Sequence, residues 1–175
     1  MKKMASLVAS LTIIAAVCAA VLAYVNDITA GPIQEVAKKN ESEAVRKVMP
    51  PGVAGIATIA EGVFVGKDGA GAVVGYAAKG ASGEGYGGDI ELMVGFGPDG
   101  KTLVCYETLI ATETPGLGMK LNSPDFKGQF PGKDGSSLKV VKDGGSIEAI
   151  TSATITSRAV CRAIEAAQGK VASVR

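Results

Sequence analysis

Residues 5–25 lie within the longest uncharged stretch of the chain and form an apolar segment that constrains the fold more than any other feature. A helix rises about 1.5 Å per residue, so this stretch is about 30 Å long, the thickness of a bilayer's hydrocarbon core. Lys2 and Lys3 precede it and Tyr24 lies at its far end, a pattern typical of a membrane anchor whose N-terminus stays in the cytoplasm. The sequence therefore predicts a cytoplasmic N-terminus over residues 1–4, a transmembrane helix over 5–25, and a soluble remainder on the outer face of the cytoplasmic membrane.

Two other uses of this apolar segment stay open. One is a signal peptide cleaved after residues 21–23, Val-Leu-Ala, although the apolar run exceeds the usual core of about 7–15 residues. The other is a lipoprotein anchored through Cys18, against which the bulky Val17 stands. One face of the span carries a row of small residues, which would admit a close partner helix or simply face lipid. The row consists of Ala15, Ala19 and Ala23.

The composition excludes several classes of function. Eighteen basic residues oppose 17 acidic ones for a net charge of +1, which argues against nucleic-acid binding. The chain has no His, so a His-based triad and a His-ligated metal site are excluded. Its three cysteines form no CxxC pair, and we expect no metal site. Unpaired, partly buried thiols are the simplest interpretation, with a Cys105–Cys161 disulfide as the alternative outside the cytoplasm.

The residues after the span predict an α+β fold. A stalk over residues 26–52 has apolar residues at helical spacing, is interrupted by Gly31-Pro32, and ends at Pro50-Pro51-Gly52. The domain over residues 53–175 is predicted to begin with short antiparallel strands and to close with a helix over residues 156–171. The predicted strands cover residues 53–59, 62–66, 72–78, 90–96, 102–106, 138–141 and 147–150.

The segment over residues 113–118, Glu-Thr-Pro-Gly-Leu-Gly, is the first candidate for chemistry. Pro115 fixes its own φ, and the two glycines leave backbone amides uncovered. Such a loop could wrap a flat ligand and donate N–H groups to it, or it could be an ordinary turn.

The segment over residues 150–157, Ile-Thr-Ser-Ala-Thr-Ile-Thr-Ser, is the second candidate and lies just before the closing helix. A helix N-terminus presents free N–H groups and a partial positive charge, which suit a phosphate. The simpler interpretation is that Thr156 or Ser157 caps the helix.

These two segments together resemble a known family. Residues 151–157, Thr-Ser-Ala-Thr-Ile-Thr-Ser, resemble the flavinylation signature S/T-G-A-T-x-T-S, and residues 113–118 resemble the second hallmark of the FMN-binding domain. The resemblance extends to Gly-Tyr-Gly-Gly at 85–88 and to Gly-Phe-Gly-Pro-Asp-Gly at 95–100. The chain is thus identified as a member of the FMN-binding domain family, which includes the G subunit of the Rnf complex and the C subunit of the sodium-pumping NADH:quinone reductase.

The resemblance implies that Thr154 accepts the cofactor. A dedicated flavin transferase would move FMN from FAD onto its hydroxyl and form a phosphoester. We expect amides around Thr156 and Ser157 to support the phosphate, and Lys120 either to face it or to be solvated. The full set of expected FMN-binding residues is Thr154, Glu113, Thr114, Gly116, Leu117, Gly118, Lys120, Ser152, Ala153, Ile155, Thr156 and Ser157.

Three positions depart from the family pattern. Ser152 stands where the family generally has Gly, Glu148 where Asp is more usual, and Ala111 where relatives often carry His. The transferase is expected to read the acidic residue ahead of the signature, so the first two positions bear on how efficiently Thr154 is modified.

The function that the resemblance implies is electron transfer inside a respiratory, ion-translocating membrane complex. In the Rnf case electrons pass between ferredoxin and NAD, and the partners are the other membrane subunits. No residue looks like a catalytic nucleophile or base, so turnover would require the assembled complex. The short soluble part favours the G subunit over the related C subunit. A free-standing membrane-anchored flavoprotein, and a non-redox binding domain in which Thr154 only caps a helix, are the alternatives.

Overall fold

A computed structural model describes residues 2–175, with side chains from Met4 onward. The predicted cytoplasmic N-terminus includes Met1 and the side chains of Lys2 and Lys3, which lie outside the described residues. The first element is one long helix, α1 (Lys2–Val48), which contains a stretch long and apolar enough to cross a membrane. The chain forms two compact units: a helical unit up to Asn40, and a second unit over Glu41–Arg175.

The helix continues through Gly31 and Pro32, where the sequence predicted an interruption. Proline lacks an N–H and therefore removes one hydrogen bond, to the carbonyl of Ile28, while the bonds on either side remain. The span and the stalk are thus one helix, which ends just before Pro50-Pro51-Gly52 as predicted.

The second unit is built on a single antiparallel sheet of five strands in the order β1-β2-β3-β4-β5. Each strand pairs with the next along the chain, because short turns connect them. Together with the flanking helices, the sheet confirms the α+β prediction. The strands are β1 (Gly55–Ala60), β2 (Val63–Lys67), β3 (Val73–Ser82), β4 (Ile90–Phe96) and β5 (Leu103–Ala111).

The closing helix, α3 (Thr154–Val174), covers one face of this sheet and packs mainly on β3 and β4. Its apolar stripe is fully buried, as predicted, and faces the alternate residues of β4 that point the same way. Burying these side chains removes apolar surface from water and stabilises the packing of α3 on the sheet. The stripe consists of Val160, Ile164, Ala167 and Val171.

The opposite face of the sheet packs against the last turns of α1. A smaller buried cluster forms there around Val45, Val48 and Met93. Cys105 packs against this cluster, whereas Cys161 lies in the larger cluster under α3. The sheet separates the two thiols, and both are free, so the alternative of a Cys105–Cys161 disulfide is wrong.

The two strands predicted over residues 138–141 and 147–150 do not form. Val140 and Ile147 make one isolated parallel bridge, and a 3-10 helix over Val141–Asp143 follows directly. Gly144, with φ of 81°, turns the chain back before a ladder can extend. A short helix, α2 (Pro124–Lys127), and a 3-10 helix over Gly118–Asn122 complete the unit.

Candidate functional site

A cavity of about 530 Å³ lies between the loop that follows β5 and the N-terminus of α3. The two sequence segments predicted to carry the chemistry meet there, although they are far apart in the sequence. Nine of the twelve predicted site residues line the cavity, and Tyr86 joins them. The predicted residues that line it are Glu113, Thr114, Leu117, Gly118, Ser152, Ala153, Thr154, Ile155 and Thr156.

The loop after β5 is a tight turn closed by its own backbone. The carbonyl of Thr114 accepts from the amides of Leu117 and Met119, at 3.2 Å each. Pro115 and Gly116 occupy the two central positions, and Gly116 has the positive φ of 76° that such a turn requires at the second. The Leu117 and Met119 amides are therefore bonded within the loop. The loop lines the cavity with Thr114, Gly118 and the exposed side chain of Leu117.

The end of this loop is anchored to the sheet. The hydroxyl of Tyr106 donates to the carbonyl of Leu121, and the hydroxyl of Thr108 donates to the Asn122 side chain at 2.7 Å. Burial raises the pKa of Tyr106, so its phenol stays protonated as a donor. The 3-10 helix after the loop is therefore held in place from β5.

The carboxylate of Glu113 connects the segments around the cavity. Its Oε1 accepts from the amide of Tyr86 at 2.8 Å and from the amide of Gly87 at 3.4 Å. Its Oε2 accepts from the hydroxyl of Thr156, on the first turn of α3, at 3.0 Å. Glu113 is only 7% exposed, and a buried carboxylate is tolerated where such donors surround it. The residue thus holds three segments together besides lining the cavity.

Two glycines permit these segments to approach Glu113 so closely. A Cβ on Gly118 would lie 2.3 Å from Oε2 of Glu113. A Cβ on Gly87 would lie 1.8 Å from the carbonyl oxygen of Thr112. Both positions exclude any larger side chain, which explains the glycines in the 113–118 and 85–88 segments.

The segment before α3 is folded by its own hydrogen bonds. The hydroxyl of Ser157 accepts from the amide of Ile150 and donates to the carbonyl of Ala153, at 2.9 Å each. Helix α3 begins at Thr154 with Ala153 as its cap, so neither Thr156 nor Ser157 caps it. Ser157 is fully buried and supports the turn, rather than lining the cavity.

The first amides of α3 belong to residues that line the cavity, and they have no helical acceptor. The helix begins at Thr154, so the amides of Thr154, Ile155 and Thr156 have no carbonyl four residues earlier within it. The amide of Ser157, in contrast, donates to the carbonyl of Ala153 at 3.1 Å. The free donors thus begin at Thr154, two residues earlier than the sequence suggested.

A lysine that the sequence did not single out contacts Thr154. The ammonium of Lys142 lies 3.3 Å from the hydroxyl oxygen of Thr154. Lys120, in contrast, does not line the cavity; it borders a separate depression together with Glu148. Gly116 also lies outside the lining, where its role is to turn the loop.

The rim of the cavity carries apolar side chains that are unusually exposed. Tyr86 is 72% exposed, Leu117 42% and Ile155 48%. Exposed apolar groups gathered around a concave site are typical of ligand binding. Tyr86 was not predicted, although Gly-Tyr-Gly-Gly at 85–88 was part of the resemblance and pointed to it. Among residues 2–175, no group of three or more acidic, His or Cys side chains could hold a metal ion.

The comparisons with known proteins agree with this geometry. The FMN-binding domain family matches residues 85–168, which include both segments and Tyr86. The G subunit of an ion-translocating oxidoreductase complex from Methanosarcina acetivorans is 30% identical over 95% of this chain and 93% of its own length. The G subunit of a Na⁺-translocating ferredoxin:NAD⁺ oxidoreductase complex from Acetobacterium woodii is 34% identical over 86% of this chain and 83% of its own.

The chain belongs to the FMN-binding domain family, among the G subunits of ion-translocating oxidoreductase complexes. Solved structures of the family share its fold. The C subunit of the Na⁺-translocating NADH-quinone reductase from Parabacteroides distasonis matches with a TM-score of 0.52 and 27% identity, over 62% of this chain and 60% of that one. NqrC of Shewanella oneidensis matches with a TM-score of 0.50 and 24% identity, over 63% of this chain and 60% of that one.

The residues around the cavity fit an FMN. Its phosphate would find free amides at the start of α3 and the ammonium of Lys142. Its flat ring system would find apolar surface on the rim, and the cavity's volume lies within the range of about 300–1,000 Å³ usual for cofactor sites. The donor set and the cavity thus match the two chemically different ends of the cofactor.

The structure also gives the surroundings of the three positions that depart from the family pattern. Ser152 has φ of 63° and is the one non-glycine residue with positive φ among those described. Glycine adopts this conformation without strain, so the family's glycine has a physical reason here. Ala111 ends β5, half-buried against the core, and Glu148 is exposed with its backbone bonded to Gln129.

Proposed function

We propose that this chain is an electron-carrier subunit of a membrane-bound, ion-translocating ferredoxin:NAD oxidoreductase complex of the Rnf type, and that it carries FMN joined to Thr154 by a phosphoester. The observation that carries this proposal is the position of Thr154. Its hydroxyl lies at the start of α3, at the edge of a cavity with free amides on one side and apolar walls on the other. The relatives, which are subunits of ion-translocating oxidoreductases, support the electron-transfer role.

The attachment transfers the FMN group of FAD to Thr154, with AMP as the leaving group. The hydroxyl oxygen of Thr154 attacks the FMN phosphorus of FAD, and a new O–P bond forms. The bond between that phosphorus and the bridging oxygen of the pyrophosphate breaks, AMP leaves with that oxygen, and the hydroxyl proton passes to a base of the flavin transferase. A flavin transferase, which the family resemblance implies, is the expected partner in maturation.

The chain's own residues orient the cofactor and leave the redox chemistry to it. FMN accepts one or two electrons and so couples carriers of both kinds. Leu117 and Ile155 offer apolar contact, and Glu113 keeps the loop and α3 at a fixed spacing through Thr156. The exposed rim keeps the site accessible to a partner carrier. This chain alone is not expected to turn over a substrate.

The membrane assignment rests on α1 and on the relatives. The chain is proposed to cross the cytoplasmic membrane once, with residues 1–4 inside and the FMN domain outside. Its partners would be the other membrane subunits of the complex. The C subunit of a Na⁺-translocating NADH-quinone reductase is the second candidate, supported by the fold. The G subunits from Methanosarcina acetivorans and Acetobacterium woodii match over 93% and 83% of their length, whereas the two solved C subunits match over 60%, which favours the first candidate.

Intact-mass spectrometry of the full chain tests the covalent bond. The chain would be produced beside an active flavin transferase, with Thr154→Ala as the test variant and Thr58→Ala as the control, because Thr58 is exposed on β1 at the far edge of the sheet. We expect the mass of FMN less water on the wild type and on Thr58→Ala, and none on Thr154→Ala. Addition of that mass to Thr154→Ala would place the bond elsewhere.

Purification from the native membrane tests the assembly. We expect the chain to copurify with multi-span subunits and with a subunit that holds iron–sulfur clusters. A chain that purifies alone and reduces an external acceptor would instead support the free-standing flavoprotein.

A further inference from the structure

Contacts of the residue next to it hold Lys142 beside Thr154. It lies in the 3-10 helix Val141–Asp143, and its neighbour Asp143 accepts two hydrogen bonds from the guanidinium of Arg158, at 2.7 Å each. Thr154 and Arg158 are four residues apart on α3 and therefore share a face of the helix. Two consecutive residues of the turn thus contact two positions on the same face of the first turns of α3.

The turn that presents Lys142 is closed on itself. The amide of Val141 donates to the carbonyl of Ile147 at 2.8 Å, and the amide of Asp143 donates to the carbonyl of Val140 at 2.8 Å. The hydrogen bonds from Arg158 hold the pKa of Asp143 below its usual value, so that carboxylate stays ionised at neutral pH. The ion pair that joins Asp143 to Arg158 on α3 therefore persists at neutral pH.

Lys142 lies near enough to Asp143 to lower the pKa of that carboxyl, behind the larger effect of Arg158, but the lysine forms no direct ion pair with it. Asp143 is engaged by Arg158, and none of the ion pairs formed within residues 2–175 involves Lys142. Lys142 and Thr154 border a depression of about 360 Å³, which is separate from the one that Lys120 borders. Glu148 also borders this depression beside Thr154 but forms no ion pair with Lys142. The ammonium is thus available to an anion attached to Thr154, a residue that borders both the main cavity and the depression that Lys142 lines.

From this geometry we propose that Lys142 is a positioning residue for the flavin phosphate: it promotes the transfer of FMN to Thr154 and then holds the phosphodiester. The proposal rests on the function proposed above. In the transfer the hydroxyl oxygen of Thr154 forms its bond to phosphorus, the bond to the AMP oxygen breaks, and the hydroxyl proton passes to a base of the transferase. A protonated lysine has no lone pair and cannot take that proton. Its N–H groups stabilise the negative charge on the oxygen and on the phosphoryl group.

The rate of modification tests this role. Unmodified full-length chain in detergent would be incubated with a flavin transferase and FAD, and the gain of FMN followed by intact mass. The variants are Lys142→Met, Lys142→Arg, and Lys139→Met as the matched control. Lys139 is an exposed lysine on the same segment that borders neither the cavity nor the depression beside Thr154.

We expect Lys142→Met to slow the initial rate about tenfold, the effect of losing one charge-assisted hydrogen bond. Lys142→Arg should restore most of the rate, and Lys139→Met should match the wild type. Raising the salt concentration should narrow the difference between Lys142→Met and the wild type, since screening weakens an accessible charge. A purely structural role for the lysine would not give that salt dependence.

The outcomes separate this inference from the function on which it rests. A wild type that gains FMN at Thr154 while Lys142→Met gains it equally fast would overturn the role of Lys142 and leave the proposed function intact. A slower rate in Lys142→Met that salt does not narrow, or that Lys142→Arg does not restore, would also overturn it. A wild type that gains no FMN would overturn both. Matching thermal unfolding of Lys142→Met and wild type would confirm that the variant is folded.

Discussion

The two faces of the sheet are covered very differently. Helix α3 seals one face over 21 residues, with a continuous core between it and β4. The other face has only the last turns of α1, a small cluster around Val48, and a cavity of about 700 Å³ beside β1. The proposed flavin site opens at the start of α3, on the sealed face. The difference indicates that the site adjoins the main core, and that packing against this core holds the residues of the site in place.

The largest loss of stability should come from a substitution in the core between α3 and the sheet. Ile164→Ala removes a fully buried side chain from the centre of the core, and we expect the free energy of unfolding to fall by about 3–4 kcal/mol. Val45→Ala on the other face should cost only about 1–2 kcal/mol, because that cluster borders a cavity and can relax. Thermal or urea unfolding of the full chain in detergent measures both. Equal losses would contradict the contrast between the two faces.

The next effect concerns the link between the core and the site. Glu113→Ala leaves the amide of Tyr86 and the hydroxyl of Thr156 without their acceptor, and we expect a loss of about 2–3 kcal/mol and a reduced yield of covalent flavin. Glu107→Ala is the control, since it breaks two partly exposed ion pairs, with Lys127 at 2.7 Å and with Lys47 at 3.9 Å, and should cost less than about 1 kcal/mol.

Both variants would be followed by thermal unfolding and by intact mass after incubation with the transferase. If Glu113→Ala proved no more costly than Glu107→Ala, the carboxylate would not hold the loop against α3, and the site could not be regarded as part of the core.

The sequence predicted the sealed face better than the site's details, for physical reasons. The stripe on α3 repeats at helical spacing, so its burial could be predicted locally. The strands over residues 138–141 and 147–150 were wrong because Gly144 and its turn interrupt a pattern that otherwise suits a strand. Lys142 was missed because its contact with Thr154 depends on the ion pair between Asp143 and Arg158, and no local pattern reports such a pairing.

The same limit explains Tyr86 and Lys120. The position of Tyr86 depends on the hydrogen bond that its amide donates to Glu113. These two residues are 27 apart in the sequence, so no local pattern predicts their contact. Lys120 follows the loop closely in sequence, and proximity along the chain suggested proximity in space. The 3-10 helix over Gly118–Asn122 instead carries it to a separate depression. The motifs identified the site, and the tertiary contacts decided which of their neighbours belong to it.

The smallest effect, and the only gain, should come from Ser152. Its φ of 63° costs a residue with a Cβ about 1–2 kcal/mol, while glycine adds entropy to the unfolded chain worth about 0.5–1 kcal/mol. Ser152→Gly should therefore stabilise the protein by about 0.5–1 kcal/mol. Ser137→Gly is the matched control: Ser137 is exposed without a positive φ, so this change should destabilise slightly. Thermal unfolding of the two variants compares them directly. If Ser152→Gly lost as much stability as Ser137→Gly, the left-handed conformation of Ser152 would not be strained. The connection between the core and the site would then carry no conformational cost at this residue.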